Sequence, residues 1–147
     1  MTEDEIALID SNILIYAYEE EESEKKEGAI KLLAKAFANE VEYVVSVQNL
    51  AEFIAAYTSK GKGKKELLEE ATKGIAEHEN FLKIYYDEST ILNALNICKN
   101  SNTPFWDALI AATMLENNIH TIYTENTKDF AIPGITAINP FVKSGKK

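Results

Sequence analysis

Cysteine and histidine are almost missing from this chain, which holds one of the first, Cys98, and two of the second, His78 and His120. A single thiol closes no intrachain disulfide, and these three side chains cannot assemble the usual Cys/His zinc sites. Any metal must therefore be held by oxygen. No apolar run approaches the roughly 20 residues that a membrane-spanning helix needs. The start, Met1-Thr2-Glu3-Asp4-Glu5, lacks the basic opening of a secretory signal. The expectation is a cytoplasmic protein with no membrane partner. Positive charge is scarce as well: 15 Lys and Arg stand against 24 Asp and Glu, a formal net charge of −9. That balance disfavours nonspecific attraction to phosphate, so a nucleic-acid substrate would need a local field to guide it. Internal repeats, low-complexity tracts and linkers are absent too.

What remains is an ordinary globular composition, 147 residues with 46% hydrophobic and 27% charged. A chain of this length typically buries about two-thirds of its unfolded surface around one core. Residues 1–142 are expected to form one domain, and 143–147 a loose basic tail.

Apolar, β-rich runs alternate with helical patterns along the chain. Ile6-Ala7-Leu8-Ile9 is a buried-strand candidate, followed by Asp10-Ser11-Asn12 and the apolar stretch Ile13-Leu14-Ile15-Tyr16. The acidic run Glu19 to Glu22 precedes a helix of about 15 residues ending near Asn39, with Ile30, Leu32, Leu33, Ala36 and Phe37 as its apolar stripe. Tyr43-Val44-Val45 reads as the second strand. Ser46 can cap the next helix, in which Leu50, Phe53, Ile54 and Tyr57 recur at helical spacing up to Lys60-Gly61-Lys62-Gly63. A helix over 64–79, the run Phe81 to Tyr86 and a helix over 88–99 come next. Thr103 at the N-cap with Pro104 at the first helical position opens a helix that holds Asp107. Thr121-Ile122-Tyr123 and Thr136-Ala137-Ile138 are the last strands. Such alternation predicts an α/β fold of three layers, a central parallel sheet of four or five strands with helices on both faces.

Open parallel sheets bind ligands beyond the carboxyl ends of their strands. Asp10 follows the first strand directly, Glu52 lies in the helix after the second, and Asn126 and Asp129 follow Tyr123. Asp107 joins them from the helix opened by Thr103-Pro104. Carboxylates that converge in one crevice repel one another unless protonated or bridged by a cation, and hard oxygen ligands suit Mg²⁺ or Mn²⁺. Each acid also has a purely structural reading. Asp10 could close an Asx-turn, Asp107 gains from the helix dipole, and Asp129 could cap the turn before Phe130. Glu52 sits among Leu50, Ala51, Phe53 and Ile54, an unusual setting for an acid without a role.

Trp106 could stack on an RNA base, although an aromatic beside Phe105 is more often core. His78 reads as a helix-end residue, His120 as a turn residue, and Cys98 as an inert small hydrophobe. The basic segment Lys60 to Lys65 could touch RNA phosphates or merely keep a surface solvated.

Four blocks together resemble the PIN-domain proteins, and within them the VapC-type toxin ribonucleases of toxin–antitoxin pairs. The blocks are Leu8-Ile9-Asp10-Ser11-Asn12, Ser46-Val47-Gln48-Asn49-Leu50-Ala51-Glu52-Phe53, Phe105-Trp106-Asp107-Ala108-Leu109-Ile110-Ala111-Ala112, and Tyr123-Thr124-Glu125-Asn126-Thr127-Lys128-Asp129-Phe130. They stand in family order and span most of the chain. The resemblance implies an acidic quartet of Asp10, Glu52, Asp107 and Asp129, with Asn12, Thr124 and Asn126 as supporting polar residues. Some relatives carry aspartate where Asn126 stands, which leaves operation with one metal ion or two open.

The same resemblance implies a Mg²⁺- or Mn²⁺-dependent endoribonuclease with RNA as substrate, an antitoxin protein as partner and a homodimeric state. In that scheme Asp10 and Asp107 hold the main ion, Glu52 orients or deprotonates water, and Asp129 completes the ligand set. The expected geometry places all four acids at one rim within metal-bridging reach. Ile13, Ile15, Tyr16, Tyr18, Phe105 and Trp106 are the apolar residues expected to be covered by association. Two other classes compete. A phosphotransferase of the haloacid-dehalogenase type would need a second aspartate where Asn12 stands. A catalytically silent PIN-like scaffold or RNA-binding interaction protein would not need all four acids.

Overall fold

The computed structural model describes residues 6–59 and 65–141. The opening Met1 to Glu5, the Lys-Gly segment over 60–64 and the tail from residue 142 lie outside the described residues.

Five short strands form one sheet: β1 (Ala7–Ile9), β2 (Tyr43–Ser46), β3 (Phe81–Ile84), β4 (Thr121–Tyr123) and β5 (Thr136–Ile138). Their spatial order is β3-β2-β1-β4-β5, and every neighbouring pair is parallel. The chain thus builds outward from β1 on one side, then returns to pair β4 on its other side. β1 and β4 flank the point where the winding reverses, the place at which such sheets open a crevice.

Six helices cover the two faces: α1 (Ser11–Ala17), α2 (Glu24–Phe37), α3 (Val47–Ser59), α4 (Lys65–Glu77), α5 (Glu88–Asn100) and α6 (Phe105–Glu116). A 3₁₀ turn over Thr127–Phe130 comes after β4. Successive strand residues point to opposite faces, and the two main cores divide accordingly. Ile9, Tyr43, Val45 and Phe81 pack with Leu14, Leu33, Phe53 and Ile75 from α1 to α4. Leu8, Val44 and Ile122 pack with Ile110 and Met114 of α6 and with Phe130 and Ile132. The three-layer α/β expectation therefore holds, with five strands.

Local chemistry sets the helix boundaries. Ser23 caps α2 by accepting from Lys26 N–H, and Asp87 caps α5 in a capping box with Thr90. Ser46 Oγ accepts from Asn49 N–H at 3.0 Å, while Asn49 Oδ1 accepts from Ser46 N–H at 3.1 Å, a reciprocal cap for α3. The helices α2 and α6 each end on an asparagine in the left-handed region, Asn39 (φ 64°) and Asn118 (φ 59°). The residue after each returns its N–H to a carbonyl five residues back, Glu40 to Lys35 and Ile119 to Met114.

Several details differ from the sequence reading. Ile13-Leu14-Ile15-Tyr16, an apolar stretch to which the sequence pattern assigns no element, belongs to α1, because Asp10 caps a helix at once: its side chain accepts from Ser11 N–H and its carbonyl from Ile13 N–H. Pro104, not Thr103, is the N-cap of α6, and Phe105 is the first helical residue. Proline supplies the extended backbone (φ −62°, ψ 154°) that the cap needs, without a side-chain bond. The third strand stops at Ile84, and α4 covers 65–77. The stripe of α2 is turned: Ala29, Leu33 and Ala36 are buried, while Ile30 and Phe37 are exposed. Ile54 of α3 is exposed, and the polar Gln48 and Asn49 take buried places instead. Ile13 is wholly buried in the core and offers nothing to a partner, whereas Trp106, read both as core and as a residue covered by association, is not core: it is 59% exposed.

Candidate active site

Asp10 stands at the carboxyl end of β1, and its own N–H extends the ladder by donating to Tyr123 O at 3.0 Å. Its carboxylate is buried and held from three sides. Oδ1 accepts from Ser11 N–H (2.7 Å) and Asn49 Nδ2 (3.3 Å), and Oδ2 accepts from Thr124 Oγ1 (2.8 Å). The donors come from α1, α3 and the end of β4. Burial is the largest influence on Asp10 and pushes its carboxyl above the usual range, against the Thr124 and Ser11 bonds, which favour the charged form.

Glu52 reaches the same end of the sheet from the second turn of α3. Its Oε1 accepts from Ser11 Oγ at 3.0 Å and its Oε2 from Gln48 Nε2 at 2.8 Å. The same Gln48 nitrogen donates to Trp106 O at 2.9 Å, so one amide joins Glu52 to the first turn of α6, next to Asp107.

Asp107 is the point where the charges meet. It is pushed up to about 7, first by partial burial, then by the negative charges of Asp10 and Asp129, by a hydrogen bond shared with Asp129, and by Glu52. The other three acids named from the sequence thus all act on the carboxyl of the fourth. Asp129 comes from the 3₁₀ turn, where its N–H donates to Asn126 O.

The supporting residues converge on Thr124. Its hydroxyl accepts from Asn12 Nδ2 (3.4 Å) and from Asn126 N–H (3.0 Å). Asn12 Oδ1 also accepts from Glu125 N–H at 3.4 Å. Asn126 contributes through its backbone, and the residue is exposed. Ser11, Gln48 and Asn49 were present in the matching blocks but received no role from the sequence. Their signal was local: polar residues one helical turn from an acid, or beside it, in an otherwise apolar setting. His78 packs edge-on against Phe37 and Phe81, and His120 is exposed beside Gly134 O, so neither serves the site. Cys98 lies half-buried against the apolar cluster of α5 and α6.

Metal-bridging reach is not met as the side chains stand: among the described residues, no three His, Cys, Asp or Glu form a group that could hold a metal ion. The physical reason lies in the same charges. Uncompensated carboxylates separate or share a proton, as Asp107 and Asp129 do, and Glu52 is drawn to Ser11 and Gln48. The donor chemistry itself, three carboxylates around one raised carboxyl, fits a hard divalent cation.

A parallel α/β sheet that gathers acids from several elements at its switch point defines a class of α/β protein with a carboxylate-lined site. Within that class, this chain belongs to the PIN domain family, which it matches over residues 7–133. No curated protein matches the chain. Among solved structures, it is similar to a toxin–antitoxin complex from Klebsiella pneumoniae, with 24% identity and a TM-score of 0.64 over 91% of this chain and 97% of that one. It is also similar to FitAB bound to an IR36 DNA fragment (19% identity, TM-score 0.70, 95% of this chain and 98% of that one). VapBC2 from Rickettsia felis, bound to a DNA fragment from its promoter, gives 21% identity and a TM-score of 0.63 over 91% and 98%. At these identities the likeness is one of fold.

Proposed function

We propose that the chain is a metal-dependent endoribonuclease and the toxin of a toxin–antitoxin pair. The observation that carries this reading is the convergence on Asp107 of Asp10, Glu52 and Asp129 from separate elements, which together with its partial burial, the larger influence, raises its carboxyl to about 7. Membership of the PIN domain family and the fold shared with toxin–antitoxin complexes support it. Residues 1–142 are taken as one nuclease domain. An antitoxin protein, a homodimeric state and a cytoplasmic location belong to the same proposal; no described helix is long and apolar enough to cross a membrane.

Asp10, Glu52, Asp107 and Asp129 would hold Mg²⁺ or Mn²⁺. The ion, when bound, supplies Lewis-acid polarisation of a phosphate oxygen and lowers the pKa of water. The protein residues do the rest. Thr124, Ser11 and Asn49 hold Asp10 in one orientation, and Ser11 and Gln48 fix both oxygens of Glu52, which orients the attacking water and accepts its proton. Asn12 and Asn126 hold the Thr124 hydroxyl in turn. Because water is the nucleophile, the products carry 5′-phosphate and 3′-hydroxyl ends.

The test is incubation of a structured RNA with protein and Mn²⁺, comparing Asp10→Asn and Asp107→Asn and reading the end chemistry. Activity should collapse in both variants and in wild type with EDTA. Cyclic 2′,3′-phosphate ends, or undiminished cleavage by both variants, would refute the mechanism.

A further inference from the structure

Beside the acid cluster lies an open groove of about 610 Å³, lined by Ala51 and Ala55 of α3 with Gln48 and Glu52, by Tyr86 after β3, and by Trp106 of α6. Trp106 is 59% exposed although α6 is buried from Ala108 to Met114. Phe105 holds the indole edge-on, with ring centroids 5.2 Å apart. A large aromatic kept in water at the mouth of a site is suited to cover a flat partner.

A second observation comes from Gln48, which is 6% exposed. Its Nε2 donates to Glu52 Oε2 and to Trp106 O, and reversing the amide would set oxygen against both acceptors. The orientation is therefore fixed, and the remaining atom, Oε1, is buried with no hydrogen-bond partner. Such an acceptor carries a desolvation penalty, offset here by the two bonds that fix the amide between Glu52 and Trp106 at the wall of the groove. Among the described residues the lining holds no Lys or Arg, so this part of the groove offers no cation to a phosphate and suits a neutral aromatic ligand. Glu52 belongs to both the groove and the acid cluster, which makes the two continuous.

We propose that this groove is a nucleobase subsite: Trp106 stacks on an unpaired base of an RNA strand whose phosphodiester lies at the acids. The proposal rests on the ribonuclease reading and adds how the strand is gripped. A base stacked here need not pair, so the substrate class is single-stranded RNA or a loop with an extruded base.

Trp106 is the one tryptophan of the chain, so its emission reports on this groove alone. The full-length protein in EDTA at low salt is titrated with a single-stranded oligoribonucleotide, and in parallel with an abasic oligomer of equal length. The oligoribonucleotide should quench the emission and the abasic oligomer should not. With a labelled oligoribonucleotide, Trp106→Ala should bind roughly 5- to 150-fold more weakly, the equivalent of about 1–3 kcal/mol for one stacked base, and Trp106→Phe should recover most of the loss. Equal quenching by both oligomers, or unchanged affinity in Trp106→Ala, overturns the proposal. A groove made for an apolar segment of a protein partner would leave the emission unmoved by RNA, which also overturns it. Cleavage of RNA by wild type with Mn²⁺ alongside unmoved emission rejects the subsite and keeps the ribonuclease reading. Base-dependent quenching without any cleavage rejects the ribonuclease reading and keeps the subsite.

Discussion

Asn49, wholly buried in the first turn of α3, places its Nδ2 3.3 Å from Asp10 Oδ1 while its Oδ1 accepts from both the N–H and the hydroxyl of Ser46. One amide thus caps a helix with one end and orients a buried carboxylate with the other. Replacing Asn49 by Ala leaves the Ser46 N–H without its acceptor and removes a donor from Asp10. The expected loss is about 1–3 kcal/mol, read as a lower urea midpoint with an unchanged slope.

Asp107 gives the chain a pH dependence whose sign is fixed. Its folded value of about 7 lies above the ordinary 3.8, so the folded state keeps the proton that the unfolded chain releases. The contribution is most favourable below the unfolded value and is lost as pH rises through 7. Without divalent ions, Asp107→Asn should therefore melt higher than wild type at pH 8. The difference should shrink steadily towards pH 4. Parallel melting curves for the two proteins across that range would show that Asp107 is not the group under strain.

Ion binding should be visible in stability without any substrate. A ligand that binds only the folded state raises the melting temperature in a concentration-dependent way. Mn²⁺ or Mg²⁺ should raise that of wild type, and the gain should be small in Asp10→Asn. Differential scanning calorimetry over a range of ion concentrations measures this, and equal gains in both proteins would place the ion elsewhere.

Much of this arrangement was legible in the sequence because strand-forming runs, caps and the alternation of elements obey local rules. β1, β2, β4 and β5, the end of α2 at Asn39 and the cap at Ser46 all lie where the pattern put them. The acids were legible because polar residues after strands of a parallel sheet have few structural reasons to be there. The failures share a cause. Periodicity assigns apolar residues inward and polar ones outward, and around this site both assignments reverse. Gln48 and Asn49 are buried because their amides have carboxylates, a carbonyl and a cap to satisfy. Trp106 and Ile54 face outward because the helix faces that carry them border the acid site and open solvent rather than the core. α1 was hidden for a different reason: seven residues are too few to show a period, and only the cap formed by Asp10 makes them helical.

The winding of the sheet carries one more consequence. Asp10 is made early, yet its partner Thr124 and the 3₁₀ turn bearing Asp129 lie just beyond β4, on the other flank of β1. A nascent chain still short of β4 has β2 and β3 available to β1 but an open edge on the side where the site closes. No contiguous fragment can hold the acid cluster without running from position 10 to position 129. An acid cluster of this design comes into being only once the chain has passed position 129, and a fragment ending before β4 cannot form it whatever else of it folds.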